Sequence, residues 1–373
     1  MMTSAPAAQS EGPPKLKDPM SLTRGPAMKN RFMLAPLTNM QSNADGTLHE
    51  DEYKWLVRRA EGGFALTMTC AAHVQRNGQL AAGQLGIWSD DHLAGLTRLA
   101  DGIRAAGSLS SVQLHHGGQR AIPKLTGSEP VAPVAMPKTG ARAMTTDEVR
   151  RLRDDFITAA VRAEKAGFDG VELHGAHGYL LCHFLDTGNL RDDAYGGALE
   201  NRARLINEIV DGIRAVTKPD FQLGVRLSPE RFGMSLSDIR SVAGDLMASG
   251  KIDFLDMSLW SVFQQPVEGE AFGKRLIDCF TSLPRGDTRL GVAGKIMDAP
   301  TAQACLDAGA DFVLIGRGAI LHHDFPRRAI ADPSFASVPL PVSRDYLASE
   351  TLGPNFIHYM ATGWKDFVEQ QAA

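Results

Sequence analysis

Cysteine is scarce: Cys70, Cys182, Cys279 and Cys305 are scattered over 373 residues, with no CxxC pair among them. That spacing offers no disulfide framework and no ligand set for zinc or an iron–sulfur cluster, and it favours a reducing, cytoplasmic setting. Long apolar runs are missing too. No stretch reaches the about 18 residues that a membrane-spanning helix needs, and no charged segment followed by an apolar one opens the chain as an export signal would. Nor does charge of one sign accumulate. A formal net charge of −4 leaves no footprint for nucleic acid or an anionic membrane, and Arg58-Arg59 and Arg150 to Arg153 read as solvated helix faces. No Walker sequence is present and no GxGxxG follows an apolar run, so a Rossmann dinucleotide site is not supported. What remains is an ordinary globular composition, 43% hydrophobic and 22% charged, with material for a large core.

Residues 1–28 are rich in Pro, Ala, Ser and Gly and show no periodic apolar face, which predicts a flexible arm. From Lys29 onward short apolar runs alternate with amphipathic segments, the pattern of βα units around a parallel sheet. Eight runs are visible: 31–35, 64–69, 111–114, 170–173, 221–227, 254–257, 289–292 and 312–315. Thr146 is expected as the N-cap of a helix whose stripe is Val149, Leu152, Phe156 and Ala160, and a further helix is expected over 298–309. The stretch after the third run, to Arg142, is too long and too rich in Pro and Gly for a plain connection, so it is expected to cover a site. Eight strands with helical crossovers suit a closed (β/α)8 barrel better than an open sheet. The barrel is expected over 29–335, with a C-terminal extension, 336–373, that packs on the barrel or on a partner subunit.

The polar residues favour the barrel because they fall at strand ends, which converge on one face in that fold. Pro36, Leu37 and Thr38 follow the first run, and Gln113 lies near the end of the third. His174 follows the fourth, Arg226 ends the fifth, Gly294 follows the seventh, and Gly316 with Arg317 follows the eighth. GVAGKI and LIGRG, containing Lys295 and Arg317, suit a phosphate at the last two loops. Arg226 must be paired or face a ligand, and Gln113 either reads a heterocycle edge or ties two strands together. In VELHGAHGYL, His174 and His177 are three apart, as on one face of a helical turn, and Tyr179 adds a phenolic proton. A metal reading would draw on Glu172 or His183 as a third ligand. One of His115 and His116 could face the same cavity.

Together these residues resemble the old yellow enzyme family of FMN-dependent ene reductases. The resemblance runs from about Lys29 to about Arg328 and rests on NRFMLAPLT, HGAHGYLLCHFL followed by NLRDDAYGGALENR, and the pair GVAGKI and ADFVLIGRG. It implies non-covalent FMN with Ala35, Pro36, Leu37, Thr38, Ala71 and Gln113 about the ring, and Gly294, Lys295, Gly316 and Arg317 on the phosphate. Arg226 would stand by the N1 and C2 carbonyl region and stabilise the reduced ring. It implies further that His174 and His177 hold the activating oxygen of an alkene, that Tyr179 protonates the carbon next to the activating group, and that NADPH or NADH supplies hydride. Thr38 stands where one branch of the family has cysteine, while the histidine pair is frequent in bacterial members, so the chain mixes branch features. Neither His115 nor Cys70 has a counterpart fixed by the resemblance. Other readings are a different flavin reaction on the same barrel, such as nitro or nitrate-ester reduction or amine demethylation, a flavin-free phosphate-binding lyase or aldolase, and a ligand-binding barrel without catalysis. A small-molecule partner is expected in each, in a monomer or in a homo-oligomer formed through the C-terminal extension.

Overall fold

The computed structural model describes residues 12–267 and 274–370. Eight parallel strands close into a barrel: β1 (Phe32–Leu34), β2 (Leu66–His73), β3 (Leu109–His115), β4 (Gly170–Gly175), β5 (Gln222–Leu227), β6 (Phe254–Ser258), β7 (Arg289–Ala293) and β8 (Phe312–Ile315). Each pairs with its sequence neighbours, and β8 closes on β1 through Phe32↔Val313. Helices cross over between the strands: α1 (Glu50–Glu61), α2 (Leu93–Ala105), α3 (Thr146–Lys165), α4 (Leu199–Val216), α5 (Leu236–Ala248), α6 (Leu276–Thr281) and α7 (Ala299–Asp307), with α8 (Phe325–Ala331) after β8. This is the (β/α)8 barrel that the alternation predicts.

The barrel interior is filled by side chains rather than open. Phe254 and Phe312 meet edge to face at 6.0 Å. They fit because their neighbours are glycines: a Cβ on Gly224 would lie 2.1 Å from the Phe254 ring, and one on Gly291 would lie 2.4 Å from that of Phe312. Outside, α3 presents Leu152, Phe156, Ala159 and Ala163 to the sheet at helical spacing. Its N-cap is Thr145, one residue before the expected Thr146. The Thr145 hydroxyl accepts from the Glu148 N–H and the Glu148 carboxylate accepts from the Thr145 N–H, a reciprocal box that Thr146 has no partner to form.

Residues 12–28 correct the expectation of a flexible arm, while 1–11 lie outside the described residues. Met20 and Met28 pair antiparallel, and with Leu22 they are buried against Met33, Leu66, Met68, Phe254 and Phe312, closing the N-terminal end of the barrel. Polar ties hold the segment: the Gln222 amide donates to the carbonyls of Arg24 and Pro26, and Arg24 pairs with buried Asp253 at 3.2 Å. Anchors at irregular spacing escaped the periodicity test because tertiary contact alone supplies their burial.

At the other terminus, α9 (Arg344–Ser349) and α10 (Pro354–Gly363) pack on the chain's own barrel. Phe356 is fully buried edge-on to Trp55 at 5.5 Å, and the Gly353 N–H donates to the Gln41 side chain at 2.7 Å. Among the described residues no helix is long and apolar enough to cross a membrane.

Candidate active site

Strand register assembles the polar residues in rows. Gln113 pairs with Glu172, and one layer further along, His174, Arg226 and Asp256 stand side by side on β4, β5 and β6. β2 runs to His73, four residues beyond the expected end, and an irregularity between Met68 and Ala71 brings Ala71 beside Gln113.

The fourth loop differs from the helical turn that the histidine spacing suggested. His174 is still in β4, and the chain then turns through His177 and Gly178 in the left-handed region, with φ of 62° and 70°. His177 is fixed there by its N–H to the Ser228 hydroxyl at 3.0 Å. The left-handed step swings its ring back over the strand end: the His174 and His177 centroids are 5.1 Å apart, and Tyr179 lies 5.1 Å from His174. A Cβ at Gly178 would come within 2.8 Å of the Phe232 ring, so glycine is needed there for space as well as for φ.

Burial decides the charge of these groups. It holds His174 well below the usual imidazole range, helped by His177 and His115, and it holds His177 at about 3, helped by Arg226 and Arg120. Burial raises the Tyr179 phenol, against the opposing pull of Arg120. Two neutral imidazoles and a protonated phenol therefore line the site at neutral pH. His174 Nδ1 accepts from the Ala176 N–H at 3.3 Å, which puts the ring proton on Nε2. That atom has only a long 3.4 Å contact to His177 Nδ1.

Arg226 and Gln113 each satisfy both of the readings open to them. Arg226 faces a cavity, donates to the Ser258 hydroxyl at 2.6 Å and is paired with fully buried Asp256 at 2.9 Å. Gln113 lines a cavity while donating to Glu172 at 2.7 Å. Glu172 is raised by burial and then by the charge of Asp256. Glu172 accepts from Gln113 through one oxygen and His183 contacts Gln119, and among the described residues no three His, Cys, Asp or Glu side chains are grouped to hold a metal ion.

Two adjoining cavities share Pro36 and His177. The first, about 650 Å³, is bordered by Thr38, Ala71, Gln113, His174 and Tyr179, together with Cys70. The second, about 720 Å³, is bordered by Ala35, Leu37, Arg226, Gly294, Lys295, Gly316 and Arg317. All fourteen of the residues singled out from sequence thus meet along one trench. His115, rather than His116, joins them from behind: its ring is 4.5 Å from Tyr179 and fully buried, whereas His116 accepts from the Gly118 N–H. The Cys70 thiol donates to buried Glu52 at 2.8 Å and is raised by burial, so it is an inert wall and not a thiolate.

Sequence reasoning missed Ser258, Trp260 and Arg120. Ser258 ends β6 and Trp260 follows it, so the strand-end criterion would have found both had the sixth run been searched as the others were. Arg120 lies in the long loop after β3, and its guanidinium stands 5.1 Å over the Tyr179 ring, where its charge pulls the phenol pKa down.

The donor set fits a flat, phosphorylated cofactor. An apolar floor from Ala35 to Leu37 runs between an amide and a guanidinium on one side and Lys295 with Arg317 at the far end. At Gly294 a Cβ would approach the backbone of Trp260 to Val262 to 3.0–3.1 Å, so the loop closes only around glycine. A closed barrel with such a trench and a neutral hydrogen-bonding triplet at strand four fits the class that the sequence resemblance implies, an oxidoreductase that binds FMN.

Comparison with known proteins narrows the class. The chain belongs to the NADH:flavin oxidoreductase / NADH oxidase family, whose model matches residues 15–332. It is 34% identical over 327 residues to NADPH dehydrogenase of Bacillus pumilus, covering 84% of this chain and 94% of that protein. An old yellow enzyme homologue from Zymomonas mobilis superimposes with a TM-score of 0.77 at 31% identity, over 93% of this chain and 99% of that one. NADH:fumarate oxidoreductase of Klebsiella pneumoniae is 32% identical over 335 residues, and there the match spans 85% of this chain but only 36% of the relative. The resemblance to old yellow enzymes is borne out, and the cofactors are those of this family, FMN with a reduced nicotinamide as hydride donor.

Proposed function

We propose that the protein is an ene reductase that reduces the C=C bond of α,β-unsaturated carbonyl or nitro compounds with hydride drawn from NADPH or NADH. Bound FMN supplies the hydride chemistry; Ala35, Pro36, Leu37, Thr38, Ala71, Gln113, His174 and Arg226 would border its ring, and Gly294, Lys295, Gly316 and Arg317 its phosphate. The reading rests above all on the neutral pair His174 and His177. His174 Nε2–H is spent only on the long contact to His177, and a substrate oxygen offers a better acceptor. Donors aimed at one oxygen gain strength as negative charge develops on it, so they favour the transition state over the ground state.

Tyr179 is the proton donor in this scheme. Its raised pKa keeps the proton in place until it is needed, and the charge of Arg120 over the ring stabilises the tyrosinate left behind. Residues 29–335 form the catalytic unit, working in the cytoplasm as a monomer or homo-oligomer. Purified protein should be yellow with one FMN per chain, bleach with NADPH or NADH, and recover its colour on addition of 2-cyclohexenone. A phenol should add a long-wavelength charge-transfer band. A colourless protein that takes up no FMN, or a reduced flavin indifferent to enones, would sink the proposal.

A further inference from the structure

Above the triplet the rim of the cavity alternates cations and aromatic rings. Arg120 lies over Tyr179 and, at 5.8 Å, over Phe232; Phe232 meets Trp260 at 6.0 Å; Arg231 lies 4.8 Å over Trp260. Trp260 in turn is 6.0 Å from the His177 ring. Both guanidiniums are solvent-exposed, and neither makes an ion pair among the described residues. The carboxylates on neighbouring loops accept from backbone and pair with neither guanidinium: Asp186, which lies beside Gly233, accepts from the Gly188 N–H, and buried Glu230 accepts from the Val267 N–H. Inside, Asp256 is matched by Arg226 and Glu172 is tied to Gln113. A negatively charged group entering here therefore meets Arg120 and Arg231, neither of them neutralised by a carboxylate among the described residues.

The rim is also held in a demanding backbone. Arg231, Phe232 and Trp260 have φ of 72°, 53° and 61°, a region that L side chains rarely adopt. Such conformations persist where the surroundings over-determine them, and here they turn one guanidinium and two rings toward the mouth. Stacking on a ring fixes the plane of a guanidinium and leaves its edge N–H groups free, the fork that suits a carboxylate or phosphate.

We propose that Arg120 and Arg231 form an oxyanion-binding site at the mouth of the cavity, taking a carboxylate or phosphate carried by the molecule that binds over His174 and His177. Phe232 and Trp260 receive the apolar body between. The inference rests on the substrate cavity assigned above. Its two sources are an acid group on the alkene and the phosphates of the nicotinamide donor.

The two sources separate experimentally. The holoenzyme, Arg120→Gln and Arg231→Gln are assayed with 4-(3-oxobut-1-enyl)benzoate and with its methyl ester, which differ by one charge. The ratio of kcat/KM for the acid over the ester is expected to fall about tenfold in each variant, the size of a lost charge-assisted hydrogen bond. In the unmutated enzyme it should fall as sodium chloride rises from about 20 mM to about 500 mM. A ratio that holds while the Kd of NADPH or NADH for flavin reduction rises about tenfold assigns the anion to the donor, and the site stands. An unchanged ratio with an unchanged donor Kd in both variants overturns it. Should neither compound turn over, the ene-reductase reading fails separately; binding of 4-hydroxybenzoate against its methyl ester, read from the flavin spectrum, then decides the site by the same criterion.

Discussion

Arg226→Gln tests whether one guanidinium both pays for a buried carboxylate and serves the cofactor. Asp256 is fully buried, neither of its oxygens has a hydrogen-bond donor among the described residues, and the Arg226 Nε at 2.9 Å is its compensation. Removing one partner of a buried pair costs about 3–5 kcal/mol. Asp256 has an escape, because burial already raises its carboxyl and only Arg226 holds it down, so in the variant it takes up a proton. With Arg226 in place that carboxyl already stands at about 6, above the unfolded value of about 3.9, and in the variant it stands higher still. The deficit relative to the unmutated protein is therefore absent below about pH 6, grows by about 1.4 kcal/mol per pH unit above it, and levels off once Asp256 ionises within the fold of the variant. A ceiling of about 3–5 kcal/mol is reached about two to four units higher, between about pH 8 and pH 10. Urea unfolding at fixed free FMN from pH 5 to 9 measures this. The double variant Arg226→Gln with Asp256→Asn should recover most of the loss and flatten its pH dependence. A deficit equal at pH 5 and pH 8, or one that Asp256→Asn does not relieve, would refute the assignment of the cost to Asp256.

Tyr179→Phe should slow the alkene half-reaction by about 10²- to 10⁴-fold, with little effect on flavin reduction followed by stopped flow; equal slowing of both would remove its role as proton donor. Because His177 is held at about 3, it would meet a phenol as a neutral ring, and phenol affinity should show no inflection near the ordinary histidine pKa of about 6.5. The same lowering means that the fold refuses a proton that the unfolded chain accepts, so stability falls as pH drops below about 6.5. Trp364→Ala should weaken FMN retention by about fivefold with Trp364→Phe restoring it, since the ring stacks on Arg317 at 4.9 Å, a contact worth about 1 kcal/mol; fluorescence titration of apoprotein reads it. Met20→Ala should cost about 2–5 kcal/mol if Met20 seals the barrel floor, and under about 0.5 if residues 12–28 were loose.

The barrel was legible because its strands are buried on both faces and so read as short apolar runs between amphipathic helices, as 312–315 does residue for residue. The site was legible for the converse reason: polar residues such as Gln113 and Arg226 interrupt those runs, and in a barrel every strand end opens on the same face. What escaped lay outside any period. Leu16, Met20, Leu22 and Met28 follow no repeat, and β2 runs past Thr69 through Cys70 and Ala71, where small residues dilute the apolar signal. The loop after β3 announced itself only by length, although its Arg120 reaches the residue proposed as proton donor. The turn after His174 was misjudged because a spacing of three suits a helix, and only the left-handed φ of His177 achieves the same meeting of rings without one.

That turn belongs to a wider pattern. Eight described non-glycine residues have positive φ, and six of them, Met40, His177, Arg231, Phe232, Trp260 and Lys295, stand on the trench or its rim. Regular elements place side chains at fixed intervals, and those intervals bring neither His177 over His174 nor Trp260 over His177. Left-handed residues break the interval and aim side chains inward, at a conformational cost that the closed barrel behind them can carry. The electrostatics follow from the same placement. Rings aimed inward lose solvent and with it their charge, so the donors near the proposed substrate are neutral, while the fixed positive charges of Arg226, Lys295 and Arg317 border the other cavity. Charge that develops in a hydride transfer has two destinations, the substrate oxygen and the cofactor. In the proposed reaction one would meet neutral N–H groups that strengthen as it becomes negative, and the other a guanidinium already in position, so neither side of the trench would have to reorganise.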